Sequence, residues 1–275
     1  LPVSLTDLEK TLSVLWTNES SRLDFLKSGK LPEAEFANSI TSTIDERGVR
    51  TYAQLISIGR SDLMLSVFPG CARLLNKKWQ ETIDGYFETC PPKHYRLNMA
   101  ASSFSEYLIE HCPHHLRKFP YLADLADYEW VELQLMEDAR QIKVLPHMPL
   151  SEPVQFEKMA PVVNPVLTIR NYKYPVPVIV DYLREGQLPR NISPRDVYVA
   201  VYRDPETHLG RYVEITPGIV QIITEAQAKP TVYADLAAVA IVYSKAASAE
   251  SALLEFFEAV EKLQSLNLFI GSEAI

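Results

Sequence analysis

Prolines at 146, 149, 153, 161 and 165 divide the chain into two stretches with different hydrophobic periods. Before them, apolar residues recur every three or four positions, the spacing of one helix face. Leu5, Leu8, Leu12, Leu15 and Trp16 behind Ser4-Leu5-Thr6-Asp7 predict a first helix, and Pro32 with Phe36, Ile40 and Ile44 predicts a second that Gly48 ends. A third runs from about Thr51 to Ser66, Phe68-Pro69-Gly70 breaks it, and further helices follow at 71–89, 102–111 and from Pro120 to about Arg140. After the prolines come β-branched runs, Val166–Ile169 and Val197–Tyr202, then the turn residues Arg203–Gly210 and a returning strand Arg211–Ile215. Thr216-Pro217 is an N-cap with proline at the first helical position. It opens three helices at about 217–226, 231–245 and 249–265. The expected class is α plus α/β: an all-helical domain over 1–145, a Pro-rich linker over 146–165, and over 166–275 a small antiparallel sheet with three helices.

At 275 residues both domains are long enough to bury a core. Net charge is −8 and is not segregated. Residues 1–145 carry 16 Lys and Arg against 20 Asp and Glu, and 146–275 carry 11 against 15, so each half is net −4. Nucleic-acid binding draws on phosphate neutralisation, so two acidic halves count against DNA as a partner. The one modest basic cluster, Arg73 with Lys77 and Lys78, reads as a solvated helix face. No apolar run is long enough to span a membrane. The opening residues show no signal peptide, and three widely spaced cysteines (Cys71, Cys90, Cys112) suit a reducing compartment. The expectation is a cytoplasmic protein.

Chemistry-bearing patterns are few. Glu110-His111-Cys112-Pro113-His114-His115 gathers imidazoles and a thiol within six residues. Pro113 interrupts the helix, however, and the other histidines are scattered, so a solvated helix end competes with a metal site and no metal ligands are expected. No G-x-S-x-G, C-x-x-C or Gly-rich phosphate loop is present, and no catalytic residues are assigned. Cys71 and Cys112 read as buried structural thiols. In Phe119–Leu133, helical spacing puts Leu122, Leu125, Ala126, Leu133 and Met136 on one face with Glu129 inside the stripe. A carboxylate there needs a partner or a proton. Either it forms an ion pair between helices, with Arg60 a candidate, or it is an acid lining a partner groove.

The run Tyr121-Leu122-Ala123-Asp124-Leu125-Ala126-Asp127-Tyr128-Glu129-Trp130-Val131-Glu132-Leu133 resembles the HvfC-like proteins, a family labelled as carrying a DNA-binding domain. Phe68-Pro69-Gly70 with Leu74, Leu75 and Trp79 is similar to that family's mid-domain signature. Asn164-Pro165-Val166 followed by Tyr172-Lys173-Tyr174-Pro175-Val176 resembles the strap into its second domain, and Val199–Asp204 its central strand and turn. The matches run from about Val49 to Ile270, and the first 45 residues are not placed by them. The resemblance implies a helical domain followed by a winged-helix or peptide-recognition-like module. Relatives, among them the methanobactin biosynthesis protein MbnC, act beside a multinuclear iron-dependent oxidase that modifies cysteines of a ribosomal precursor peptide. On that model this chain is a non-catalytic accessory subunit. It holds no cofactor of its own, the iron sits in the partner enzyme, and the signature residues Tyr121, Asp124, Tyr128, Glu129, Trp130 and Glu132 face the oxidase.

The strand pattern adds a place for the precursor's leader peptide. A sheet of about three strands has two edges, and an uncovered edge accepts an extended peptide as a further strand. Arg211, Tyr212, Val213, Glu214 and Ile215 are the expected peptide-binding strand, with Arg211, Tyr212 and Glu214 at the rim; coverage of that edge by the strap or the helical domain is the competing expectation. A transcriptional regulator using a winged helix on DNA is the second functional reading.

Overall fold

The computed structural model describes residues 5–29, 46–92, 96–148 and 156–275. The expected helix over Phe36, Ile40 and Ile44, and the cap residue Ser4, lie outside them. The chain divides into two compact units, Leu1–Trp130 with Val180–Pro189, and Val131–Ile179 with Arg190–Ile275. This differs from a boundary at 145: the division falls inside two helices, α8 (Leu122–Met136) and α9 (Val176–Arg184), of which α9 was not anticipated.

The first unit is helical. Helices α1 (Leu5–Thr17), α2 (Glu19–Ser28) and α3 (Glu46–Val67) bury Leu15, Phe25, Val49, Ala53 and Ile56 against one another. Gly48 does not end a helix but lies in the first turn of α3. Its propensity cost, about 1 kcal/mol, is outweighed by the burial of Val49 and Ala53. Asn18 caps α2 by accepting from Ser21 N (2.9 Å). Glu19 is buried and bonds both Arg22 and Arg60, and the Arg60 guanidinium lies 4.6 Å from the Phe87 ring centroid. Burial and the neighbouring Arg22 charge lower the Arg60 pKa to about 10. Arg60 is therefore not the partner of Glu129.

Phe68-Pro69 ends α3 and starts α4 (Pro69–Leu75), and a short 3-10 turn, Asn76–Lys78, leads into α5 (Trp79–Thr89). Helices α6 (Phe104–His111) and α7 (Pro113–Lys118) meet at Cys112, the break expected at Pro113. Phe104 is the hub of an aromatic cluster, 4.7 Å from Phe68, 5.4 Å from Tyr86 and 5.8 Å from Trp79 between ring centroids.

The second unit contains two small antiparallel sheets. One is β2-β3-β4, from β2 (Leu167–Tyr172), β3 (Val197–Arg203) and β4 (Gly210–Ile215), with β3 in the middle. Its register runs from Leu167↔Tyr202 to Tyr172↔Val197 and from Tyr198↔Ile215 to Arg203↔Gly210. The turn between β3 and β4 is held by Asp204, whose carboxylate accepts from Glu206 N (3.0 Å) and Thr207 N (2.8 Å). One face, with Leu167, Ala200, Tyr202, Val213 and Ile215, belongs to the core formed with α10 (Pro217–Ala228), α11 (Tyr233–Tyr243) and α12 (Ala249–Ser265). The other face carries Val197, Val199 and Val201, also buried, beside the end of α8. There Arg170 reaches Gln134 (2.9 Å), and Arg203 donates to the carbonyls of Asp138 (2.7 Å) and Arg140. The chain is α plus α/β.

The second sheet pairs β1 (Met159–Val163) with β5 (Phe269–Ala274). The Pro-rich segment is therefore not a linker throughout. Leu145 N donates to Ile270 O (2.8 Å) and Ser272 N to Pro146 O (3.0 Å), so the strap lies along β5. It approaches so closely that a Cβ at Gly271, where φ is +150°, would sit 2.5 Å from Leu145 Cβ. Because Ser272 points its N–H at the strap, its pair with Pro161 is a non-hydrogen-bonded one, and proline's missing donor falls on the outer edge of β1.

Candidate functional site

The signature helix α8 does not present one apolar stripe. Tyr121, Tyr128 and Trp130 are buried along with Leu122, Leu125 and Ala126, whereas Met136, expected to be buried, is 45 % exposed. Tyr121 donates its hydroxyl to Pro189 O (3.4 Å). Of the six residues expected to face a partner, Asp124 and Glu129 are half-buried and Glu132 is exposed. The three aromatic residues are core, and they support the helix rather than offering surface. A helix apolar on most of its circumference is a buried element, which a single-stripe reading misses.

Glu129 is held by backbone. Phe68, at the N-cap of α4, has no side-chain acceptor, and Pro69 has no N–H, so Gly70 and Cys71 carry the first unsatisfied donors of that helix. Glu129 Oε1 accepts from Gly70 N (2.6 Å) and Oε2 from Cys71 N (3.2 Å). Gly70 makes the approach possible: a Cβ there would lie 2.8 Å from Oε1. Burial pushes the Glu129 pKa up to about 7 against the lowering effect of these bonds. Burial first, and then the adjacent carboxylate, hold the Cys71 thiol well above its ordinary range. The expected ion pair with Arg60 does not describe this residue; it closes the N-terminus of α4.

The histidine segment is divided in its environment. His111 and His114 are exposed, but His115 is buried with Nε2 3.0 Å from Thr82 Oγ1, so it is not part of a solvated helix end. Burial first, and the charge of His114 next, lower its pKa. Among the described residues no group of three His, Cys, Asp or Glu side chains is placed to hold a metal ion. Cys71 and Cys112 are both buried thiols.

The strand Arg211–Ile215 lies within β4, at the edge of its sheet. Arg203 N donates to Val166 O (3.0 Å), so β3 residues 197, 199, 201 and 203 turn their backbone groups toward β2. By the alternation of an antiparallel ladder, Tyr198, Ala200 and Tyr202 bond β4, through Ile215, Val213 and Arg211. Gly210, Tyr212 and Glu214 then direct N–H and C=O to the outer edge. Val213 and Ile215 point their side chains into the core, while Tyr212 and Glu214 lie on the opposite face. Glu214 takes a forked bond from Arg195 (2.7 and 3.3 Å), and Arg211 lies 3.9 Å from Asp204. Tyr212 donates to Glu132 Oε2 at 3.5 Å, and Glu132 also lies over Gly210. The fold thus joins one residue of the α8 set, Glu132, to the strand set at Tyr212. Sequence reasoning missed Arg195, whose signal, a charge complementary to Glu214, becomes visible only once the register is known.

No known protein-family model matches the chain, and no curated protein matches it.

Proposed function

We propose that this chain is a non-catalytic accessory subunit that takes a ribosomal precursor peptide as an added strand on β4 and holds it for an iron-dependent oxidase that modifies the peptide's cysteines. The observation that supports the reading is the place of β4 at a sheet edge, with the backbone groups of Gly210, Tyr212 and Glu214 directed outward. Backbone bonding along such an edge provides affinity, and the flanking side chains provide selection. Those flanks carry both signs: Glu132 beside Tyr212, Arg195 with Glu214, and Arg211 near Asp204. They suit a peptide with mixed polar side chains at alternate positions. The resemblance of α8 to the HvfC-like signature supplies the oxidase and the cysteine chemistry.

The test is co-expression with a candidate oxidase and its Cys-containing precursor, followed by hydrogen exchange on the purified complex. Amides of Gly210, Tyr212 and Glu214, which face outward, become protected when the precursor is added. The orientation of the ladder selects the variants. Glu214→Pro removes an outward donor and abolishes peptide recruitment with the fold retained, whereas Val213→Pro removes a donor used by β3 and unfolds the sheet. Protection confined to the helical unit, or recruitment unchanged by Glu214→Pro, refutes the assignment.

A further inference from the structure

The exposed side of α3 carries three large apolar residues in a row of positions at helical spacing. Its core side, with Val49, Ala53, Ile56, Arg60 and Leu63, is buried. On the opposite side Gly48, Thr51, Leu55, Ile58, Asp62 and Leu65 follow one another at spacings of three and four, and every one of them is exposed. Leu55, Ile58 and Leu65 are 60, 55 and 52 % exposed. A Cβ added at Gly48 or Gly59 would meet nothing within 4 Å. Alternating spacings of three and four are those of the a and d positions of a coiled coil.

We infer that this seam is the contact between two copies of the chain, with the two α3 helices antiparallel. The sequence of the seam is its own complement in that orientation. With the two-fold axis between Ile56 and Ser57, each a position meets a d position. Leu55 packs on the partner's Ile58, Thr51 faces the partner's Asp62, and Gly48 receives the partner's Leu65. Two apolar layers form the centre, a hydroxyl meets a carboxylate on either side, and the smallest residue meets a large one at the ends. The Thr51 hydroxyl, which donates to Arg47 O (2.9 Å) in the single chain, turns to the carboxylate. A parallel arrangement instead stacks Asp62 on the partner's Asp62, two like charges in an apolar seam. Asp62 therefore selects the antiparallel pair, as a lone polar residue at an a position does. The seam extends over roughly 26 Å of helix at 1.5 Å per residue. With two apolar layers at its centre the contact is small, so the dimer forms and dissociates with concentration. This inference does not rest on the proposed function.

Sedimentation velocity on the full chain tests it. The mass rises from 31.2 kDa toward twice that value as concentration increases. Leu55→Glu combined with Ile58→Glu stays monomeric throughout; because both positions are exposed, its circular dichroism and melting temperature match those of the parent. For orientation, Thr51→Cys with Asp62→Cys in a Cys90→Ser background gives a disulfide-linked dimer on mild oxidation. Thr51→Cys alone, or Asp62→Cys alone, in that background does not, since each meets its own copy only in a parallel pair. A parent that is monomeric at the highest concentration reached, or a dimer that survives the double glutamate variant, overturns the proposal. Cross-linking by either single-cysteine variant overturns the antiparallel register.

Discussion

Glu129 makes the stability of this protein depend on pH in a direction opposite to that of an ordinary paired carboxylate. Its pKa in the folded chain is about 7, against 4.5 for the group in water, because burial disfavours the charge more than Gly70 N and Cys71 N favour it. Between these values the folded state binds a proton that the unfolded state has released. The contribution is therefore fully present below about pH 4.5, is lost as pH rises through the window to about 7, and is flat above it. A difference of 2.5 units corresponds to roughly 3 kcal/mol at 1.36 kcal/mol per unit. Other groups titrate over the same range, among them His115, whose lowered pKa acts in the opposite sense. The informative quantity is thus a difference between two proteins. Urea unfolding of the parent and of Glu129→Gln at pH 5 and pH 8 supplies it, with free energies extrapolated to water. Glutamine has the shape of the protonated acid and cannot ionise. The parent loses up to about 3 kcal/mol more than the variant on going from pH 5 to pH 8. Equal pH dependence in the two proteins, or a parent that gains relative to the variant at pH 8, refutes the argument that burial dominates at this carboxylate.

Gly70→Ala places a Cβ 2.8 Å from Glu129 Oε1 and 3.1 Å from Leu183 Cδ1, and backbone and carboxylate must separate. A loss of about 1–3 kcal/mol is expected, read as a lowered thermal midpoint. Glu19→Gln leaves Arg22 and Arg60 buried together without their shared anion and costs about 3–5 kcal/mol in denaturant unfolding. An unchanged midpoint would show that the two guanidinium groups are satisfied by Trp16 O, Leu15 O and Ser57 alone. Gly271→Ala, at φ +150° and with Leu145 Cβ 2.5 Å from the added atom, detaches the strap from β5; amide exchange at Leu145 and Ser272 accelerates.

Local patterns of the sequence were sufficient for much of the architecture. The β-branched run at Val197–Tyr202, the turn residues after it and the Thr216-Pro217 cap specify a hairpin followed by helices, because alternation, turn chemistry and capping are properties of neighbouring residues. They also established that Glu129, among apolar neighbours, had to find a partner or a proton. What they could not supply was the identity of that partner. A carboxylate among apolar neighbours is satisfied equally by an arginine or by two backbone N–H groups, and only the packing of α8 on Phe68-Pro69-Gly70 decided for the latter. Proline-rich composition at 146–165 suggests an extended segment but does not say whether it pairs. The strap became part of a sheet because Gly271 admits it and because Pro161 falls where no donor is used. In the same way the strand at 211–215 was legible, but not which of its N–H groups point outward. That depends on the register with Tyr198–Arg203, a long-range pairing that no residue of β4 encodes by itself.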